Sequence, residues 1–319
     1  MVTESGSVLI IGQGRSAELC SSTLISRGAG RFRLSGVVTP LQVQELLRPL
    51  DSPHPHGKFR KVPERWVVAL DDRRAGLPLE SLLQARFRGV KIQNASQFLE
   101  DLTGQVPVKQ TRPGDLVFSN GFAFSPAWML LKTVWEWCLA VLLMVLVAPV
   151  LLAAALAIKL DDRGPIFFRQ TRVGRFGRLF DVIKLRTMRQ NAEAAGPQFA
   201  ALDDPRVTRV GKFLRQTRID ELPQLFNILR GEMALVGPRP ERPEFVEQYS
   251  KEIEFFDLRL SVRPGITGWA QVNEGYTSDS DGAIEKLSFD MYYLKHMSPL
   301  LDMRIVFDTV ATVVKCEGV

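Results

Sequence analysis

Cysteine and histidine are scarce in this chain: three of each in 319 residues. Cys20, Cys138 and Cys316 are too few and too scattered for a disulfide framework or a cysteine zinc site. His54 and His56 lie in the Pro-rich stretch Asp51–Gly57, which reads as an exposed loop, and His296 has no evident metal partner. The opening, MVTESGSVLIIGQGRSAE, lacks the apolar core of a secretory signal. These scarcities point to a reducing, cytosolic setting for the polar parts of the chain. The net charge of +6 would allow nucleic acid as a partner, but there is no helix-turn-helix or base-stacking aromatic pattern. No nucleic-acid partner is expected.

The absence that organises the chain is one of charge. Trp137 to Ile158, WCLAVLLMVLVAPVLLAAALAI, holds 22 residues without a formal charge, bracketed by Glu136 and Lys159. As a helix rising about 1.5 Å per residue it approaches the ~30 Å of a hydrocarbon core, and it has no polar stripe to face water. Membrane contact follows. Pro149 lies near the middle, lacks an amide hydrogen and crowds the preceding turn. The helix either kinks and crosses, or bends and returns with both ends on one face. Lys132 before the run and Lys159 and Arg163 after it put positive charge at both ends, which favours re-entry.

Charge is uneven elsewhere: residues 1–158 carry +5, residues 159–240 carry +7 and residues 241–319 carry −6. The middle segment suits an anionic substrate or an anionic lipid surface. Before the apolar run, Val8–Ile11 reads as a buried strand followed by Gly12-Gln-Gly14-Arg-Ser-Ala17 and a helix. Further strands are expected at Phe32–Val38, Trp66–Leu70 and Gly89–Ile92, with a helix at Leu79–Phe87. This is an α/β half-fold resembling the start of a dinucleotide-binding unit. The third glycine and an acidic ribose-binding residue are missing, so a structural or regulatory use is the expectation for residues 1–110. Residues 111–126 read as a connector, with Phe118, Phe122, Phe124 and Trp128 placed for a membrane interface.

After the run, small motifs crowd together. Gly164-Pro-Ile-Phe-Phe168 should turn into an extended segment, followed by Arg169, Arg172, Lys184 and Arg186, a basic series that fits phosphate or an anionic lipid surface. Asp220 and Glu221 are adjacent acids between Arg215 and Arg218 on one side and an apolar helical pattern on the other. Such a pair can coordinate Mg²⁺, supply a nucleophile, or form structural salt bridges. Gly237-Pro-Arg239-Pro240 is a rigid turn presenting a guanidinium suited to a bidentate phosphate contact. Arg263-Pro-Gly265 opens another constrained loop, and Leu287–Leu294 and Leu300–Val314 read as packing helices.

The ordered motifs GPIFFRQTRVG, KLRTM, LRQTRIDELPQLFNILRGEMALVGPRP and RPGITGWAQVN resemble the bacterial sugar transferase family, over about residues 127–315. Members are monotopic phosphoglycosyl transferases. The resemblance implies a proline-broken re-entrant membrane helix (127–160, broken at Pro149) and a compact, mostly helical α/β catalytic domain (161–319) on the cytoplasmic face of the bacterial inner membrane. It implies that Asp220 attacks the β-phosphate of a UDP-sugar, that UMP leaves, and that undecaprenyl phosphate takes the sugar phosphate from an aspartyl intermediate. Mg²⁺ held by Asp220 and Glu221 would neutralise the diphosphate, with Arg215 and Arg239, and more weakly Lys184 and Arg186, as phosphate-binding residues. Glu221 is also expected to help activate the lipid phosphate.

The product is expected to begin exopolysaccharide or O-antigen synthesis, with a homodimer and polysaccharide-assembly proteins as further partners. The amino-terminal part resembles the nucleotide-fold-like domain of long members, which begin with several transmembrane helices; none precedes Trp137 here. The glycine those members often have after Gln-Val-Asn is Glu274, a change that bears on sugar preference. Three other readings stand beside this one: an inactive membrane scaffold of the polysaccharide machinery, a nucleotide-dependent oxidoreductase built on Gly12 and Gly14, and a bitopic protein with domains on opposite sides.

Overall fold

The computed structural model describes residues 6–28, 31–47, 63–71, 76–111, 113–119, 121–122, 125–190, 192, 204–273 and 280–314. The loop at Asp51–Gly57, Phe124 and Glu274 fall outside these residues, as does Cys316. Two compact units divide the chain, Met1–Arg112 and Pro113–Val319.

The first unit is a four-stranded parallel sheet in the order β2-β1-β3-β4. Its strands are β1 (Gly6–Ile11), β2 (Phe32–Val38), β3 (Arg65–Val68) and β4 (Lys91–Asn94). The connecting helices are α1 (Arg15–Arg27), α2 (Pro40–Leu47) and α3 (Leu79–Phe87), and α4 (Ala95–Thr103) closes the unit. The run Val8-Leu-Ile-Ile11 is fully buried, as expected of a parallel strand covered on both faces. Alternate side chains divide between two cores: Val8 and Ile10 pack with α1 and α4, Leu9 and Ile11 with α2 and α3. Asn94 caps α4 by accepting from the Gln97 amide, and Gly104 ends it in the left-handed conformation at φ 67°.

The second unit begins with α5 (Pro113–Val117) and is built on α6 (Pro126–Asp162), 37 residues long. At about 1.5 Å per residue the path along α6 is roughly 55 Å. Ser125 caps it, with Pro126 at the first turn where its missing N–H costs nothing. Pro149 lies inside the helix and does not end it. Among the described residues this is the one helix long and apolar enough to cross a membrane, with a mean hydropathy of 3.0 over its best window.

One stripe of α6 is covered by the rest of the unit on both sides of Pro149. Ala140, with Leu143, Met144 and Val147 beside it, joins a core containing Met233, Leu235, Trp269, Phe289, Tyr293 and Ile305. Ala154 and Ile158 join Leu185 and Leu214. The remaining face, including Val134, Leu142, Val145, Leu146, Leu152 and Leu156, is exposed and apolar.

Beyond α6 the chain forms the antiparallel hairpin β5 (Phe167–Val173) and β6 (Leu179–Leu185). Then come α7 (Arg209–Gln216), a 3-10 turn (Ile219–Gln224), α8 (Leu225–Leu229) and β7 (Ala234–Val236). After α9 (Pro243–Glu252), β8 (Gly265–Thr267) pairs in parallel with β7. The unit closes with α10 (Trp269–Asn273), α11 (Ser280–His296) and α12 (Pro299–Val314). Asn227 on α8 joins these pieces. Its Oδ1 accepts from the Ile183 amide at 3.1 Å, and its Nδ2 donates to the Asp181 carbonyl and to Glu232 Oε2, each at 2.7 Å.

Asn227 has no exposed surface, so Asn227→Ala strands the buried Ile183 amide and removes the partner of the Asp181 carbonyl on β6. The substitution should cost about 2 kcal/mol or more, read as a clear fall in Tm of the detergent-solubilised protein. An unchanged Tm would contradict this view of how β6 is held against α8.

Candidate active site

Three segments bring the expected residues together. The first is β6, which carries Lys184 and packs against the 3-10 turn. The second is α7. Thr208 caps it by accepting from the Gly211 amide at 2.9 Å. Glycine is required at 211, since a Cβ there would lie 2.0 Å from the Thr187 carbonyl oxygen. This close approach sets the last turn of α7 beside Thr187, and Arg215 Nε donates to Thr187 Oγ1 at 2.9 Å. Arg218 then takes the left-handed conformation at φ 57°, and the turn that follows delivers Asp220 and Glu221 into the interior.

The third segment is the turn after β7. The Gly237 amide donates to the Thr267 carbonyl at 2.9 Å, and Arg259 Nη2 donates to the Arg239 carbonyl at 2.9 Å. Arg172 Nη1 donates to the Pro240 carbonyl at 3.1 Å. Burial lowers the Arg172 guanidinium to about 10, partly offset by Glu241. The Arg239 side chain, so fixed from behind, reaches Glu221.

The two carboxylates differ in environment. Glu221 Oε1 accepts from Lys184 Nζ at 2.8 Å and from Arg239 Nη2 at 2.9 Å. Burial opposes ionisation of Glu221, but the charges of Arg239, Lys184 and Arg218 together outweigh it and hold its carboxyl well below the usual carboxylate range. Asp220 Oδ1 is buried without a hydrogen-bond partner among the described residues. Burial, and then the neighbouring Glu221 charge, push Asp220 up to about 6 against the pull of Lys184, Arg215 and Arg218. Lys184 is itself lowered by burial, with Glu221 opposing. The arrangement is one locked carboxylate beside one unsatisfied carboxylate, with an excess of cations around both.

Of the expected site residues, Glu221, Lys184 and Arg239 form one contact group, and Asp220, next in the chain, feels Glu221, Lys184 and Arg215 through their charges. Arg186 is placed elsewhere: it is buried, pairs with Asp162 at the end of α6, and its Nε and Nη1 have no hydrogen-bond partner among the described residues. Arg218 and Thr187 were not singled out as site residues from sequence. Their signals, an arginine two residues before the acid pair and a threonine after Lys184-Leu-Arg186, carry weight only once the chain is folded.

Among the described residues no group of three or more His, Cys, Asp or Glu side chains converges as a metal cage. Mg²⁺ does not require one, because it is commonly held by one or two carboxylates with substrate phosphates and water. The unpartnered Asp220 Oδ1 is a donor of that kind.

The Gly-rich turn of the first unit has a different occupant. Gly12 (φ 150°) and Gly14 (φ 104°) allow the close approach expected of them, since a Cβ on Gly14 would fall 2.4 Å from Asp71 Oδ2. Asp71 accepts from the Arg15 and Ser16 amides, each at 3.0 Å. The amides that would receive a cofactor phosphate at a helix start are thus taken by the chain's own carboxylate, which weighs against the oxidoreductase reading.

Residues 127–316 match the family of bacterial sugar transferases. The chain belongs to this family. A UDP-N-acetylgalactosamine-undecaprenyl-phosphate N-acetylgalactosaminephosphotransferase from Aeromonas hydrophila is 43% identical over 248 residues, covering 78% of this chain and 58% of the relative. That similarity is longer than the family region, so it reaches into the first unit. A UDP-glucose:undecaprenyl-phosphate glucose-1-phosphate transferase from Escherichia coli K12 is 45% identical over 183 residues, 57% of this chain and 39% of the relative. A protein of the same name from Caulobacter vibrioides is 44% identical over 189 residues, 59% of this chain and 71% of the relative. The chain spans about half the length of the first curated relatives it matches. Family membership makes α6 the one membrane-associated helix, among the described residues, of a monotopic family member.

A raised carboxyl has a consequence for stability. Because Asp220 binds its proton more tightly folded than unfolded, its contribution to stability grows as pH falls from about 6 towards its ordinary value of 3.8. Ionised at neutral pH, it destabilises the fold. Asp220→Asn should therefore melt at or above the wild-type Tm at pH 7.5, with the gap closing as pH approaches 4. A markedly lower Tm at pH 7.5 would make Asp220 a structural residue.

Proposed function

We propose that this protein transfers a sugar-1-phosphate from a UDP-sugar to undecaprenyl phosphate through an aspartyl intermediate. The observation that carries the reading is the buried, unpartnered Asp220 Oδ1 beside a Glu221 already locked by Lys184 and Arg239. A carboxylate attacks phosphorus well when its own solvation is poor and the surrounding cations offset the charge of the phosphates it approaches. Lys184, Arg215, Arg218 and Arg239 supply that offset.

In the first step an Asp220 carboxylate oxygen bonds to the β-phosphorus of the UDP-sugar. The bond from that phosphorus to the bridging oxygen breaks, and UMP leaves with the electron pair. In the second, an oxygen of undecaprenyl phosphate bonds to the same phosphorus and Asp220 leaves as a carboxylate, giving undecaprenyl-diphospho-sugar. Arg239 and Arg215 orient the diphosphate, and Lys184 keeps Glu221 ionised beside the nucleophile. Glu221 assists the incoming lipid phosphate. Mg²⁺, held by Asp220 and Glu221 together with the diphosphate, would neutralise substrate charge and improve UMP as a leaving group.

The membrane arrangement follows the same logic. Lys132 near the start of α6 pairs with Asp302, and Asp162 at its end pairs with Arg186, so both ends of the helix are tied to one polar body. This supports a helix that enters and leaves on one face, re-entrant at Pro149, over a bitopic one with domains on opposite sides. The cytoplasmic face of the inner membrane is where a soluble UDP-sugar and a lipid phosphate meet. The first unit, with Asp71 occupying its Gly-rich turn, serves a structural or regulatory role.

The test is UMP release by purified protein in nanodiscs with Mg²⁺ and undecaprenyl phosphate. The UDP-sugar panel includes UDP-glucose and UDP-N-acetylgalactosamine, the donors named for the relatives. Release is expected with at least one sugar and should fall by about three orders of magnitude or more in Asp220→Asn. Arg215→Ala and Arg239→Ala should chiefly raise KM for the UDP-sugar. No release from folded wild-type protein with any sugar would favour the scaffold reading.

A further inference from the structure

Glu136 is a carboxylate one position before the uncharged run of α6, and only 1% of its surface is exposed. Burying such a group is costly unless it is well paired, and in a membrane-associated helix an ionisable side chain marks a functional constraint. Its Oε1 accepts from the Leu235 amide at 3.1 Å, the Val236 amide at 3.2 Å and Lys132 Nζ at 2.8 Å. Its Oε2 lies 3.9 Å from Arg263 Nη2. Lys132 Nζ also donates to Asp302 Oδ2 at 2.6 Å. The Tyr293 hydroxyl lies 2.8 Å from Asp302 Oδ1 and 3.2 Å from the Val236 carbonyl oxygen.

Both backbone polar groups of Val236 are therefore held by this network, one by α6 and one by α11. Arg239 is three residues further along a turn with little freedom. Gly237 admits no Cβ, since one would lie 2.5 Å from the Arg263 carbonyl oxygen, and the Gly265 amide donates to the Pro238 carbonyl at 2.9 Å. A shift of Val236 along β7 would be passed to Arg239, whose contact with Glu221 is a single 2.9 Å hydrogen bond.

We propose that Glu136 is a positioning residue for the phosphate-binding site: by gripping Leu235 and Val236 it sets Arg239 against Glu221, so that seating of the membrane helix sets the geometry of the substrate site. This rests on the transferase reading above. A residue that served stability alone would lower the Tm or the active fraction and leave the KM of the folded enzyme unchanged.

The full-length protein in nanodiscs is compared with Glu136→Asp, Arg239→Ala and the double variant. Glu136→Asp keeps the charge facing Lys132 and Arg263 and shortens the reach to the strand by one methylene. Glu136→Met, which keeps the volume and removes both acceptor oxygens, is the second variant should the first fold poorly. Each single substitution should raise KM for the UDP-sugar by about tenfold with KM for undecaprenyl phosphate within about twofold. The double variant should be no worse than Arg239→Ala alone. Losses that multiply in the double variant, or a Glu136 variant with altered Tm and normal KM, would overturn the proposal. If wild-type protein releases no UMP, the transferase reading fails and calorimetric titration with UDP decides this inference. The same non-additive loss of UDP affinity sustains it, and unchanged affinity in the Glu136 variants overturns it.

Discussion

Glu221 is where separate parts of the second unit meet: β6 through Lys184, the turn after β7 through Arg239, and the 3-10 turn that carries Glu221 itself. A buried carboxylate with two cations on one oxygen is worth little as net stability, since much of the Coulomb gain is spent on desolvation. Its value lies in asymmetry. With Glu221 locked and ionised, the adjacent Asp220 meets a like charge and a dry environment, and its carboxyl rises to about 6. Two acids that look equivalent in the chain become one paired carboxylate and one unpartnered carboxylate.

The membrane helix enters this arrangement as a supporting element as well as an anchor. Its covered stripe contacts the core containing β7 before Pro149 and the core containing Leu185 and Leu214 after it. Those two cores underlie β7, whose following turn carries Arg239, and β6 and α7, which carry Lys184 and Arg215. The exposed apolar face of the same helix is left for lipid. A single element thus carries an exposed apolar face and the cores beneath the candidate site, an arrangement suited to the proposed reaction.

Much of this is legible in the chain because punctuation and periodicity agree locally. Phe32–Val38 and Leu79–Phe87 form the strand and helix expected of them. The strand expected at Trp66–Leu70 is Arg65–Val68, and the helix expected from Leu287 begins at Ser280, because its polar first turn shows no apolar period. The acid pair and its arginines stand out as motifs. Their division of labour does not, because it depends on Lys184 lying across from Glu221 and on Arg218 adopting a left-handed conformation. Glu136 reads from sequence as a boundary charge. Its burial depends on Asp302, 170 positions from Lys132, and on backbone amides about 100 positions away, contacts that local pattern does not encode. Asp71 filling the Gly-rich turn is hidden for the same reason.

The central claim, that Asp220 is a covalent nucleophile, is tested most directly without the lipid acceptor. Labelled UMP is incubated with the enzyme, Mg²⁺ and the preferred UDP-sugar, and its incorporation into UDP-sugar is followed alongside the intact-protein mass. A covalent first step predicts exchange without undecaprenyl phosphate and a mass increase of one sugar phosphate on the peptide containing Asp220, both lost in Asp220→Asn. Turnover with lipid but no lipid-free exchange and no adduct would mean direct transfer between substrates, and would contradict the account.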